Sequence, residues 1–178
     1  MEYKELENEE PSPSAFVHML EHLKTHLKGK VVILGIGNTL RSDDGAGSIL
    51  ARRINGKGAF KVFDAGPSPE NYLEKIIKEN PQTIVIADAV DFGGKPGEVR
   101  LLEGQNIETV NFFSTHNASI SLAINYLQSR VAADIIILAI QPGTLVFGDT
   151  LSQSIEKTLT QLEDWFSRLA SGIAAGQA

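Results

Sequence analysis

The sequence predicts a single-domain, three-layer α/β/α fold built on a mostly parallel sheet of about five strands, with an extra helix at the N-terminus. Short apolar runs such as VVIL, TIVIAD and IIILAI alternate with stretches whose apolar residues recur at helical spacing, which is the pattern of βαβ units. The chain has 178 residues, enough to enclose one full core and within the ~100–200 residues of a single domain. No internal repeat and no linker divides it.

Taken in order, residues 1–29 form an N-terminal extension with an accessory helix, 30–170 the main domain and 171–178 a flexible tail. MEYKELENEE is charged, and Pro11-Ser-Pro-Ser supplies a turn and a helix cap. A helix over Ala15–Lys28 places Phe16, Met19, Leu20, Leu23 and Leu27 on one stripe, and Gly29 ends it. The expected strands are Val31–Leu34, Phe60–Asp64, Thr83–Asp88 and Ile135–Ile140. Between them fall helices over Asp44–Ile54, Pro69–Glu79 and Asn117–Ser129, the last with Ile120, Ala123, Ile124 and Leu127 on one face. Ser68-Pro69-Glu70 is a good helix start and Asn80-Pro81 a good stop. In GEVRLLEG, Val99 and Leu101 alternate with Glu98 and Arg100, as in an exposed edge strand able to pair antiparallel. A last helix runs over Leu151–Ala170.

Composition removes several function classes. The formal charge is −6 and the basic residues are scattered, so a nucleic-acid interface is not expected. There is no cysteine, which excludes disulfides, zinc–thiolate sites and a cysteine nucleophile. The acidic N-terminus leads into no apolar secretory segment and no apolar run is long enough to span a bilayer, so membrane insertion is not expected and a cytoplasmic location is.

The glycine-rich loop GIGNTLRSDDGAG invites a phosphate and then places Asp43 and Asp44 where a phosphate would be repelled. Leu40 stands where the dinucleotide fingerprint needs Gly or Ala, and no Gly-Lys-Ser/Thr follows. Read alone, Asp43 caps the following helix and Asp44 benefits from its positive end. Asp88, however, ends a strand of the same parallel sheet, and ligands of open α/β sheets bind outside the strands' carboxyl ends. His116, at the mouth of the Asn117 helix, offers an imidazole, which by itself reads as a capping or solvent histidine. His18, His22 and His26 repeat every four residues, a spacing able to bind metal, but they lie off the apolar stripe on a solvated flank, where no metal is expected. No serine-hydrolase elbow or His-Glu-x-x-His is present, and Asp64-Ala65-Gly66 only faintly echoes the aspartic peptidase motif.

Gly37-Asn38, Asp43-Asp44-Gly-Ala-Gly, Asp64-Ala-Gly-Pro-Ser-Pro-Glu-Asn, Ile86-Ala-Asp88-Ala and Thr115-His116-Asn117 occur in this order, and with them the chain resembles nickel-iron hydrogenase maturation endopeptidases from about Val31 to Trp165. Gly97-Glu98-Val99-Arg100 and Ile140-Gln141-Pro142 point to the branch serving formate-hydrogenlyase-type hydrogenases. The resemblance implies a twisted sheet flanked by helices and removal of a C-terminal extension from the hydrogenase large-subunit precursor after nickel insertion. It implies Asp44, Asp88 and His116 as the residues that meet the metal and Asp64 as a further acid needed for activity. The nickel would arrive with the substrate, although another divalent ion could occupy the isolated protein. Ala65 departs from the family's usual Asp-Gly-Gly at this point. The alternative is a non-catalytic docking or chaperone module for the same large subunit, and a nucleotide-binding α/β protein is the third reading.

Overall fold

The computed structural model describes residues 13–103 and 117–175. Twelve elements follow in order: α1 (Pro13–His26), β1 (Val31–Ile36), a 3-10 turn (Ser42–Gly45), α2 (Ala46–Ile54), β2 (Lys61–Gly66), a second 3-10 turn (Pro69–Tyr72), α3 (Leu73–Lys78), β3 (Thr83–Ala89), β4 (Val99–Glu103), α4 (Asn117–Arg130), β5 (Asp134–Ile140) and α5 (Gln153–Ala175). The expected elements are all present. α5 runs five residues past the expected end, and the two expected helices at Asp44 and Pro69 each open with a 3-10 turn instead.

The strands form one five-stranded sheet in the order β2-β1-β3-β5-β4. β1 pairs in parallel with β2 and β3, β3 in parallel with β5, and β4 closes the edge antiparallel to β5, as the alternation in GEVRLLEG predicts. Every residue of β1 and of the central β3 is buried, so these strands read as unbroken apolar runs rather than as alternating ones. Successive side chains of a strand point to opposite faces, and each face has its own core. Val31, Ile33, Val85, Leu138 and Ile140 pack with Leu20 and Leu23 of α1, Leu50 of α2, and Ile155, Leu159 and Phe166 of α5. Val32, Leu34, Ile84, Ile86 and Ile137 pack with Ile76 of α3 and with Ile120, Ile124 and Leu127 of α4. The three-layer expectation holds, and the extra helix α1 belongs to the first core.

The chain order sets where a ligand can bind. From β1 the connection moves outward to β2, then returns across β1 to β3 and continues in the opposite direction to the edge strand β4, from which it comes back to β5. The two halves part at the carboxyl ends of β1 and β3, the switch point where open α/β sheets leave a crevice. Asp44 follows β1, and Asp88 is the last residue but one of β3.

α1 descends to the other edge of the sheet. The Thr83 hydroxyl, at the amino end of β3, donates to the carbonyl of His26 at 3.1 Å, while the Lys28 N–H donates to the Thr83 hydroxyl oxygen at 3.1 Å. Gly29, with φ +57°, then turns the chain into β1. His18 and His22 are exposed and His26 half-buried, close to the solvated flank expected of them.

Candidate functional site

Three glycines seat α2 on the strand ends. A Cβ on Gly47 would lie 2.0 Å from the Ala87 carbonyl oxygen and 2.5 Å from that of Ile36. One on Gly35 would lie 2.2 Å from the Gly47 carbonyl, and one on Gly37, whose φ is +148°, 2.1 Å from the Asp44 carbonyl. The space that a Gly-x-Gly loop would leave for a phosphate is filled by the protein's own backbone. These glycines admit the first turn of α2, and that packing holds the Asp43-Asp44 turn against the end of β3.

Asp43 and Asp44 are both buried, and their surroundings differ. Asp43 Oδ2 accepts from Gly143 N (2.9 Å), Thr144 N (3.0 Å) and the Ser152 hydroxyl (2.8 Å), while Oδ1 accepts from Ser152 N (2.7 Å). The expected role of Asp43 as a cap for its own helix is therefore wrong. Gly45 occupies the position before α2 and no side chain caps it; Asp43 instead binds the loop after β5 to the start of α5. Asparagine would keep one acceptor oxygen and turn an NH2 group toward donors, leaving at least one buried donor unmatched. Asp43→Asn should lower stability by about 2–4 kcal/mol. Chemical denaturation should read this, and an unchanged midpoint would overturn the tethering role.

Asp44 Oδ2 accepts from the Asn38 N–H at 3.3 Å, within its own loop. Asp88 is wholly buried. By strand alternation it shares the face of Ile84 and Ile86, the one that α3 and α4 cover. α4 runs back against β5, so it begins at the same carboxyl edge, and its first residue is Asn117. The predicted His116 lies outside the described residues. Among the described residues no three of His, Asp and Glu converge to hold an ion.

Asp64 lies two residues before the end of β2, one strand away from the switch point. Burial acts to raise its pKa, but the Ser48 hydroxyl (2.6 Å to Oδ1), the Arg52 guanidinium (2.5 Å to Oδ2) and the Gly66 N–H (3.0 Å to Oδ1) outweigh that and hold it below the ordinary carboxyl value. Both of its oxygens are thus engaged in fastening α2 to β2. Ser48 and Arg52 were not singled out in the sequence, although they stand at i and i+4 on α2 and so share a face. Gln141 was also missed as a structural residue. Its Oε1 accepts from Phe92 N and Gly94 N at 2.9 and 3.0 Å, and its Nε2 donates to Asp91 Oδ1 at 3.0 Å, so it shapes the loop after β3.

An apolar rim borders this edge. Leu40, Val146 and Phe147 are 57%, 65% and 85% exposed. Their two loops are joined by Gly148 N donating to the Leu40 carbonyl (2.9 Å) and Ser42 N donating to the Gly148 carbonyl (2.7 Å). Ser42 is the residue before Asp43 and has a left-handed φ of +50°.

Residues 46–166 match the family described as hydrogenase maturation protease (HycI). The chain is 34% identical over 140 residues to the hydrogenase 3 maturation protease of Escherichia coli K12, covering 75% of this chain and 89% of that protein. Among solved structures it is similar to a hydrogenase 3 maturation protease, with a TM-score of 0.67 and 32% identity over 76% of this chain and 87% of the other. It is similar also to the [NiFe] hydrogenase maturation protease HybD from Thermococcus kodakarensis, with a TM-score of 0.63 and 27% identity over 80% of this chain and 99% of the other.

Proposed function

The chain belongs to the hydrogenase maturation protease family and is a peptidase that processes a hydrogenase, and from that premise we propose that, in the cytoplasm, it removes the C-terminal extension of a nickel-iron hydrogenase large-subunit precursor once nickel has been inserted. Asp44, Asp88 and His116 would meet the metal. Family membership decides between the two main readings of the sequence in favour of the enzyme over the docking module. The observation that carries the finer reading is the position of two buried carboxylates: Asp44 and Asp88 flank the switch point between β1 and β3.

Carboxylate oxygens and an imidazole are donors that a borderline ion such as Ni2+ accepts. Two negative groups in a poorly solvated crevice repel each other, and a cation carried in by the substrate relieves that repulsion. Nickel is here part of the substrate, and a loaded precursor would be recognised because the empty one leaves the repulsion in place. A metal ion at this position can also polarise the scissile carbonyl for attack by water. Asp64, with both oxygens engaged, serves as a positioning residue for α2 rather than as a proton carrier.

No described helix is long and apolar enough to cross a membrane. The deciding experiment incubates the protein with nickel-loaded and nickel-free precursor and follows the mass of the large subunit. Loss of the extension from the loaded form alone is expected. Equal cleavage of both forms would end the metal-reading mechanism while leaving the peptidase intact.

The Leu40–Val146–Phe147 rim would dock the precursor's apolar surface, since its loops lead directly into the Asp43-Asp44 turn. Burying one aromatic side chain is worth about 1.5–3 kcal/mol, or roughly tenfold or more in affinity. Phe147→Ser should raise KM by about tenfold with kcat unchanged. An unaltered KM would remove the rim from the substrate path.

A further inference from the structure

We infer that His22 and His26 of α1 form a two-imidazole site for a borderline divalent cation, Zn2+ or Ni2+, at the edge of the sheet opposite Asp44 and Asp88. Their Nε2 atoms face each other at 3.2 Å, with the rings edge to face at a centroid distance of 4.8 Å. Metal–imidazole bonds of about 2.0–2.1 Å would span that separation at a nitrogen–metal–nitrogen angle of roughly 100°, between the octahedral and tetrahedral values. The nitrogen positions already match a bidentate chelate, so little rearrangement is needed.

The support beneath the pair is rigid. Leu20 and Leu23 of the same helix are buried in the core, Thr25 Oγ1 donates to the His22 carbonyl at 2.7 Å, and the His26 carbonyl is held by Thr83. Only the side-chain torsions of two histidines remain to be ordered on binding. In the contact as it stands, one Nε2–H donates to the lone pair of the other ring. Binding needs both lone pairs, so the donor's proton moves to Nδ1, leaving two neutral imidazoles and no net proton change. Imidazole nitrogens select Ni2+, Cu2+ and Zn2+ over Mg2+ and Ca2+. Because no third His, Asp or Glu converges there among the described residues, water fills the other coordination positions and the ion is exchangeable. His18, one turn earlier, is exposed but is not part of the contact. The proposal stands independently of the protease mechanism.

The test titrates Zn2+, and separately Ni2+, into the full chain, following binding by calorimetry and, for Zn2+, the histidine Nε2 resonances by NMR. One equivalent should shift the His22 and His26 resonances together, and excess Mg2+ should shift neither. His22→Gln and His26→Gln, together or singly, should weaken that binding at least tenfold. His18→Gln should leave it unchanged. Unaltered affinity in the double variant would overturn the site, as would equal loss in His18→Gln.

Discussion

Asp88→Asn should abolish useful cleavage of nickel-loaded precursor, lowering kcat/KM by on the order of 10²–10³-fold or more, while the chain still folds. The side chain is wholly buried near the end of the central strand, and Asn fits the same volume. What it removes from function is the anionic oxygen that a metal selects. Asp44→Asn should behave alike, since an amide oxygen can still accept from the Asn38 N–H. Asp43→Asn should show the reverse signature, with stability lost because four donors aim at its two oxygens. Measuring cleavage and thermal midpoint on all three variants separates adjacent acids that look interchangeable in Asp43-Asp44. Normal cleavage by Asp88→Asn would place the metal-reading site elsewhere and remove the reason for grouping His116 with it.

The fold was legible because its signals are local and repeated. Ile120, Ala123, Ile124 and Leu127 lie at helical spacing and are all buried on one face of the sheet. The continuous apolar runs at β1 and β3 announce strands covered on both sides. The place of Asp44 and Asp88 at one edge of the sheet was legible for a topological reason: parallel strands open on one edge, and an acid near a strand's carboxyl end falls there whatever its neighbours are. What could not be read depends on pairing across long stretches of chain. The donors to Asp43 lie 100 to 109 residues away, so nothing near it distinguishes a buried tether from a helix cap. Asp64 has the same difficulty on a smaller scale, because Arg52 and Ser48 reach it only once α2 has packed against β2. What the glycines make room for is hidden for a related reason. A missing side chain shows that something comes close, and only the packed structure shows that the visitor is α2 rather than a ligand.

Gly47→Ala should therefore damage both stability and activity, although the residue touches no substrate and adds only a methyl group. Its Cβ would stand 2.0 Å from the Ala87 carbonyl oxygen and 2.5 Å from that of Ile36. Both obstacles are backbone in the two central strands, so neither can swing aside as a flexible side chain would. α2 must lift from the sheet by more than an ångström, loosening Leu50 and Ala51, both fully buried in the core beneath it. Overpacking of a rigid contact costs about 3 kcal/mol. The same displacement carries the Asp43-Asp44 turn away from Asp88, and a shift of about 1 Å in a catalytic group can cost roughly 10²-fold in rate. Gly56→Ala supplies the comparison. Gly56 has a backbone conformation that favours glycine, φ +77°, but nothing lies within 4 Å of the added methyl. That variant should lose about 1–2 kcal/mol from backbone strain alone and keep its turnover. Thermal denaturation and cleavage of loaded precursor should thus separate the pair, with kcat falling only in Gly47→Ala. If Gly47→Ala were as stable and as active as the unaltered chain, the close seating of α2 would not be what holds Asp44 at the switch point.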